Sequence, residues 1–372
     1  MKEPIRVLNL FTIMDCGGAE TMIMNYYRKM DRTKIQFDFI VHRDQRAAYD
    51  EEILALGGRI FRMCPIYPQN FRKYRKMLSL FFQHHPEYGI IHSHMAQLGC
   101  FAFIEAKKAG VPARICHAHS APDTFTFDLK MPVRNCFKRI MRPYITHMFV
   151  CGQKAGDWLY GQSNREKFVM MNNAIDACRF AYDETVRESV RRELNIENQF
   201  VIGHVGRFAT PKNHDKLIDI FFEIHKMEPE SVLLLIGMGE LLERIQKKVV
   251  VLHLEDSVLF LGARSDIHRY LQAMDCFVFP SIYEGLPLSV IEAQAAGLPC
   301  LISNGISDQC IITDLVRVLP LEMSETEWAS RVVECSSVRR TNRTEEIIKA
   351  HFDVTENVRW LEEFYLNLNL SL

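Results

Sequence analysis

The chain has 372 residues, of which 48% are hydrophobic and 24% charged, with a formal net charge of −1. That length favours two cores over one, and the composition excludes a disordered or collagen-like chain. No apolar run reaches the ~18–20 residues of a bilayer span, and eleven cysteines without a C-x-x-C pair give neither a disulfide framework nor a zinc-ribbon spacing.

The first residues run straight into an apolar strand, which leaves no room for a secretory leader, so the expectation is a cytoplasmic protein with reduced thiols. The small net charge conceals an asymmetry. Residues 1–170 hold 25 basic and 15 acidic residues, and the remainder holds 20 and 31. The halves are therefore +10 and −11, which points to different partners for each unless surface charge is partitioned by chance.

Taken along the chain, apolar runs predict strands at Val7–Phe11, Phe37–Val41, Arg59–Met63, Ile90–Ser93, Arg114–His117, Met148–Cys151 and Phe168–Met171. Helical periodicity falls between them at Ala19–Met30, Arg72–Gln83, Gln97–Ala109 and Val133–Arg142. The second half repeats the alternation. Its strands are Val201–Val205, Val232–Ile236, Val258–Leu261, Cys276–Phe279 and Cys300–Ser303. Its helices are Asp215–Lys226, Leu241–Leu252, Ile267–Met274 and Leu288–Ala296. Strands that are apolar on both faces and separated by helices predict two α/β units, each a covered parallel sheet. An amphipathic stretch, Val354–Tyr365, predicts a last helix.

Several motifs sit at predicted strand ends. Gly17 and Gly18 follow the first strand and open a helix, where bare amides admit a phosphate, although paired glycines also serve plain tight turns. No G-x-G-x-x-G is present, so no dinucleotide cofactor is expected. Histidines alternate at His92/His94 and His117/His119. Their spacing fits zinc at first sight, but no acidic or cysteine ligand accompanies them, so no metal is assigned. Arg207 and Lys212 lie five positions apart across a strand-to-helix loop. There they can converge on one diphosphate, Arg bidentately and Lys as a point charge, or remain a solvated pair. Phe279-Pro280-Ser281-Ile282-Tyr283-Glu284-Gly285-Leu286-Pro287-Leu288-Ser289-Val290-Ile291-Glu292-Ala293 places Glu284 in a loop and Glu292 one to two turns into the next helix. Two carboxylates beside helix-opening amides suit a sugar bearing a phosphate.

That last string closely resembles the donor-site signature of the retaining, nucleotide-sugar-dependent glycosyltransferases of family 4. The resemblance covers nearly the whole chain. It implies two Rossmann-like domains (the GT-B fold) with the active cleft between them. The N-terminal domain, residues 1–172, would bind acceptor. The C-terminal domain, residues 173–352, would bind nucleotide sugar, and residues 353–372 would cross back as a helix. The stretch Met171–Asp176 resembles the family's linker, with Ala174 where glycine is usual.

The resemblance also implies site roles. Arg207 and Lys212 would clamp the diphosphate, Glu284 would meet the donor sugar, and Glu292 would hold the ribose. Gly285 and Leu286 would offer amides, and Gly17 and Gly18 would face the phosphates and sugar. Gly237, in Gly-Met-Gly, and Arg264 would lie near phosphate and base, although both stretches could be plain turns. His119, with His117 as the alternative, would approach the sugar or serve as a structural histidine. The reaction implied is hexosyl transfer from a nucleotide diphosphate sugar, UDP-linked by expectation, to a hydroxyl acceptor with retention. No cofactor is needed, and with no D-x-D motif no metal is expected.

Basic amphipathic segments at Arg72–Lys76 and Lys130–Arg142 suit an anionic membrane at the inner face of the plasma membrane and a lipid-linked glycan acceptor in exopolysaccharide or capsule synthesis. The plainer reading is two helices with solvated outer faces. No stacking platform or recognised motif points to nucleic acid. The rival functions are a sugar-nucleotide epimerase of the same fold and a non-catalytic partner subunit.

Overall fold

The computed structural model describes residues 3–15, 17–119 and 131–370; Cys16 of the glycine loop and Lys130 of the second basic segment lie outside them. Contacts divide the chain into two units, Met1–Ala174 with Val354–Leu372, and Ile175–Asp353.

In the first unit the strands are β1 (Ile5–Leu10), β2 (Ile35–Val41), β3 (Ile60–Arg62), β4 (Ile90–Ser93), β5 (Ala113–Ala118), β6 (His147–Val150) and β7 (Phe168–Met170). They form one parallel sheet in the order β3-β2-β1-β4-β5-β6-β7. The second unit has β8 (Phe200–Val205), β9 (Ser231–Ile236), β10 (Val258–Gly262), β11 (Cys276–Phe279), β12 (Cys300–Ser303) and β13 (Val316–Leu319). Its parallel order is β10-β9-β8-β11-β12-β13. The two sheets are the two Rossmann-like domains that the alternation predicts.

The near-continuous apolar strands follow from burial on both faces. Along β9, Val232, Leu234 and Ile236 enter one core, while Leu233 and Leu235 enter the core on the opposite face. Fully burying one such side chain contributes ~1.5–3 kcal/mol.

The final helix, Val354–Leu370, belongs to the first unit. Its buried stripe, Val354, Val358, Leu361 and Tyr365, steps by three and four residues, as one helical face requires. Polar contacts fix its register. Asn357 donates to the Tyr26 hydroxyl at 3.2 Å, and Glu362 accepts from the Asp31 amide at 2.6 Å. Ala174 is fully buried and has no positive φ, so its backbone does not need the glycine usual in such linkers.

Two topological features position chemistry. Strand order reverses between β1 and β4 in the first sheet, and between β8 and β11 in the second. At such points neighbouring strands send their loops to opposite faces and leave a crevice at their carboxyl ends.

One sequence expectation needs correction. Lys138, counted among the cations of the second basic segment, is not a surface charge. It is buried, its ammonium donates to the Trp158 carbonyl at 2.7 Å, and it sits 3.5 Å from the centre of the Trp158 ring. Arg142, just past the helix, stays exposed while donating to the Tyr160 carbonyl at 3.0 Å. The exposed cation of this helix is Arg139, flanked by exposed Val133 and Ile140.

Candidate active site

In the second unit the sheet order sets β8 beside β11, so the loops that leave them are neighbours. The β8 loop is fixed first. Gly206 donates to the Ile236 carbonyl at 3.0 Å, and Phe208 donates to Met238 at 2.9 Å, zipping this loop to the one after β9. Gly237 makes the approach possible. Its φ is +145°, and a Cβ there would overlap the Gly206 carbonyl. Gly237 is thus required by backbone packing, whatever it does for a ligand.

The loop then turns through Thr210–Lys212 to Asn213, which takes a left-handed conformation at φ +54°. Asn213 Nδ2 donates to the Pro280 carbonyl at 3.1 Å, and the Ile282 amide donates to Pro211 at 2.8 Å. On its other side the β11 loop is tied to the loop after β12. Glu284 donates its amide to Gly305 at 3.3 Å and accepts from the Ser307 amide at 3.1 Å. The backbone of Glu284 is therefore held from both flanks before any ligand arrives.

The side chains then meet. Lys212 Nζ lies 2.7 Å from Glu284 Oε1, and 4.6 Å from the centre of the Phe279 ring. The two side chains are only 18% and 19% exposed, so their charges interact partly shielded from solvent. Arg207 differs: it pairs with Glu240 at 3.1 Å, and the two are 73% and 55% exposed. Lys212 is thus held in a shielded pair, while Arg207 is held only by a solvent-exposed one.

Gly285 is exposed and a Cβ there would meet nothing within 4 Å, whereas Leu286 packs against the core. Glu292 sits in the Leu288–Ala295 helix, where burial pushes its carboxyl up to about 7, with the nearby Arg179 charge opposing the shift. Arg264 is exposed. Its Nε donates to the Leu261 carbonyl at 3.0 Å, and its guanidinium lies 5.2 Å from the Tyr270 ring centre.

In the first unit Gly17 caps the Gly18–Lys29 helix, and a Cβ on Gly18 would meet open space. Glu20 lies within the first turn, and burial raises its carboxyl above the ordinary range, helped by the Asp15 charge. Asn9, His92, His94, His117 and His119 alternate along β1, β4 and β5 and just beyond. His94 Nδ1 is 2.9 Å from His119 Nε2, and His94 Nε2 is 3.3 Å from Asn9 Oδ1. Burial lowers all four imidazoles, His119 to about 4 and His92 to about 3, so they are neutral at pH 7.

Sequence reading placed Lys212 and Glu284 at strand ends but did not pair them. It missed Asn213, Phe279 and Glu240 as the groups that set the two cations. An asparagine, a residue type that tolerates the left-handed conformation, next to Lys212 in a strand-to-helix loop was the available signal for the first.

Comparison with known proteins agrees with this architecture. Residues 16–179 match the sequence family described as Glycosyltransferase Family 4, and residues 186–317 match Glycosyl transferases group 1. EpsF of Bacillus subtilis (strain 168), which is named as a glycosyltransferase, is 36% identical over 369 residues, spanning 97% of this chain and 96% of EpsF. The UDP-Gal:alpha-D-GlcNAc-diphosphoundecaprenol alpha-1,3-galactosyltransferase of Escherichia coli is 25% identical over 297 residues, 76% of each chain. Among solved structures, Anabaena HepE in complex with UDP-glucose superposes with a TM-score of 0.74 at 18% identity, covering 99% of this chain and 100% of that one. WaaG, a glycosyltransferase of lipopolysaccharide biosynthesis, gives 0.67 at 15% identity over 96% and 95%. The near-full-length match to EpsF, with both family matches and this fold, shows that the chain belongs to the family 4 glycosyltransferases, built as the two Rossmann-like domains of the GT-B fold.

Proposed function

We propose that the chain moves a hexosyl unit from a UDP-sugar to a hydroxyl group of a lipid-linked glycan, with retention of anomeric configuration, in exopolysaccharide or capsule assembly. The observation that carries this reading is the shielded Lys212–Glu284 pair at the β8/β11 switch point. In the free enzyme each group neutralises the other. An arriving diphosphate competes for the Lys212 ammonium and releases Glu284 to accept hydrogen bonds from the sugar hydroxyls. Arg207 swings from Glu240 to complete the clamp. The two cations then stabilise the leaving diphosphate without a divalent ion. Glu292 binds the ribose, and Gly285 leaves backbone open for the donor. The family resemblance assigns Gly17 and Gly18 to the phosphates and sugar, Gly237 and Arg264 to phosphate and base, and His119 to the sugar. No covalent nucleophile is assigned, so the departing phosphate itself helps to deprotonate the acceptor.

The names of the relatives support the donor and acceptor classes: HepE was crystallised with UDP and UDP-glucose, and the Escherichia coli relative is named for UDP-Gal and a diphosphoundecaprenol acceptor. The exposed cations Arg72, Lys73, Lys76 and Arg139 support a peripheral contact with the cytoplasmic face of the plasma membrane. No helix among the described residues is long and apolar enough to cross it.

Mass spectrometry of a nucleotide-sugar panel with a lipid-linked acceptor tests the reaction. Glycosylated acceptor plus UDP is the expected product. Altered nucleotide sugar or free UDP that forms without acceptor would mean epimerisation instead. Calorimetry separates the glutamates: Glu284→Gln should weaken the intact donor but leave UDP binding nearly unchanged, whereas Glu292→Gln should weaken both. Equal losses for bare UDP would show that the roles are misassigned.

A further inference from the structure

We propose that His92, His94 and His117, all of the first unit, form a binding site for one zinc ion. The sequence set a metal aside because only imidazoles were in view, but the fold brings three of them to one point. Their ligand nitrogens all lie within 4.8 Å of one another, the one such group of His, Cys, Asp or Glu among the described residues. The His92 ring stacks on His94 at 4.3 Å between centroids and on His117 at 5.3 Å, while His94 and His117 are tilted by 42° at 5.3 Å.

The geometry follows from strand pairing. His92 on β4 and His94, the first residue beyond it, share a sheet face, and parallel pairing of β4 with β5 brings His117 beside them. A tetrahedral zinc bound at ~2.0–2.1 Å sets its nitrogens about 3.4 Å apart.

Two of the three rings hold unpartnered nitrogens, while His94, bonded to His119 and Asn9, gives up its contact with His119 to ligate. His92 Nδ1 is 2.7 Å from the Tyr365 hydroxyl, and in the tautomer that donates there, Nε2 presents its lone pair to the cluster. That Nε2 is buried without a partner, and so are both ring nitrogens of His117. A buried nitrogen left unsatisfied costs about 1–3 kcal/mol, and a zinc ion taking one nitrogen from each ring satisfies His92 Nε2 and one of the two His117 nitrogens. Tyr365 supplies the outer hydrogen bond that orients a metal-bound imidazole. Three neutral imidazoles with an open fourth position suit zinc better than magnesium or calcium, which prefer oxygen. His94 and His119 are half-buried rather than sealed, which gives the ion a way in.

The test uses the full-length protein stripped with EDTA and dialysed free of it. Calorimetric titration with zinc chloride, in competition with a chelator of known affinity, should show one tight site per chain. Cobalt(II) should give the intense visible bands of a tetrahedral site. His117→Phe keeps a stacked ring and removes both nitrogens; His94→Gln removes a second ligand. Each should weaken the tight site at least 100-fold and bleach the cobalt spectrum. Weak binding at several sites in the wild type, or tight binding unchanged in both variants, would overturn the proposal and leave surface histidines or ordered water as the occupants. Neither readout depends on turnover, so failure here is distinct from failure of the transferase reading.

Discussion

Glu292 offers a quantitative test, because its carboxyl lies far from its ordinary range. Burial lifts it from 4.5 to about 7. The folded chain therefore holds a proton between those values that the unfolded chain has already released. Stability falls as pH rises through that window and levels off above it. At about 1.36 kcal/mol per pH decade, the interval corresponds to roughly 3 kcal/mol. Glu292→Gln keeps the shape and cannot titrate. Urea unfolding of both proteins at pH 5 and pH 8 should show the variant gaining on the wild type by most of that amount at the higher pH. Binding should move oppositely. If the ionised carboxylate accepts from the ribose hydroxyls, wild-type affinity for UDP rises as pH passes 7, and the variant stays weak and nearly flat. A wild-type-to-variant stability difference that is the same at pH 5 and pH 8 would refute the burial argument. A UDP affinity that ignores pH in both would refute the ribose assignment.

Lys212→Ala should lower turnover by roughly 10²-fold or more, by removing a charge aimed at the leaving group. It also strands the shielded Glu284, so adding Glu284→Gln should recover thermal stability but not activity. Turnover should persist in excess EDTA; loss that Mg²⁺ or Mn²⁺ restores would show that the two cations do not replace a metal. Gly237→Ala should cost about 3 kcal/mol or more in denaturant unfolding, because of its φ and the Gly206 carbonyl. Gly285→Ala, which meets nothing, should cost under about 1 kcal/mol and show its effect only in donor binding. Arg72, Lys73, Lys76 and Arg139 changed together to Glu should abolish salt-sensitive sedimentation with anionic vesicles while leaving the melting temperature intact. Lys138→Glu should instead lower the melting temperature, since that lysine is buried against Trp158.

Strands of continuous apolar residues were legible because burial on both faces leaves no polar interruption: Cys276–Phe279 and Cys300–Ser303 coincide with β11 and β12. The edge strand Val316–Leu319 was not, since Arg317 faces solvent and only Leu319 is buried. The helix Glu184–Leu194 escaped for a related reason. Only Val190 and Arg191 on it are buried, and Arg191 reaches Asp275, 84 residues on. The same limit applied to the site. Both halves of the Lys212–Glu284 pair stood out locally, but their meeting depends on β8 lying next to β11, and strand order is not written in local pattern. Lys138 failed in the other direction: its periodicity reads as a solvated cation, and only the fold reveals the tryptophan against it.

The return of residues 354–370 into the first unit has a consequence for biosynthesis. Val354, Val358, Leu361 and Tyr365 complete a core that otherwise comes from the first 174 residues. The Asp31–Glu362 bond closes a separation of 331 positions. During translation the second unit can fold from contiguous chain, whereas the first must wait, with an apolar face uncovered, until the ribosome releases the last helix. A nascent chain stalled after residue 353 should therefore contain one finished domain and one that attracts chaperones. Expression of the first unit alone should need the final helix supplied, in cis through a short linker or in trans as a peptide.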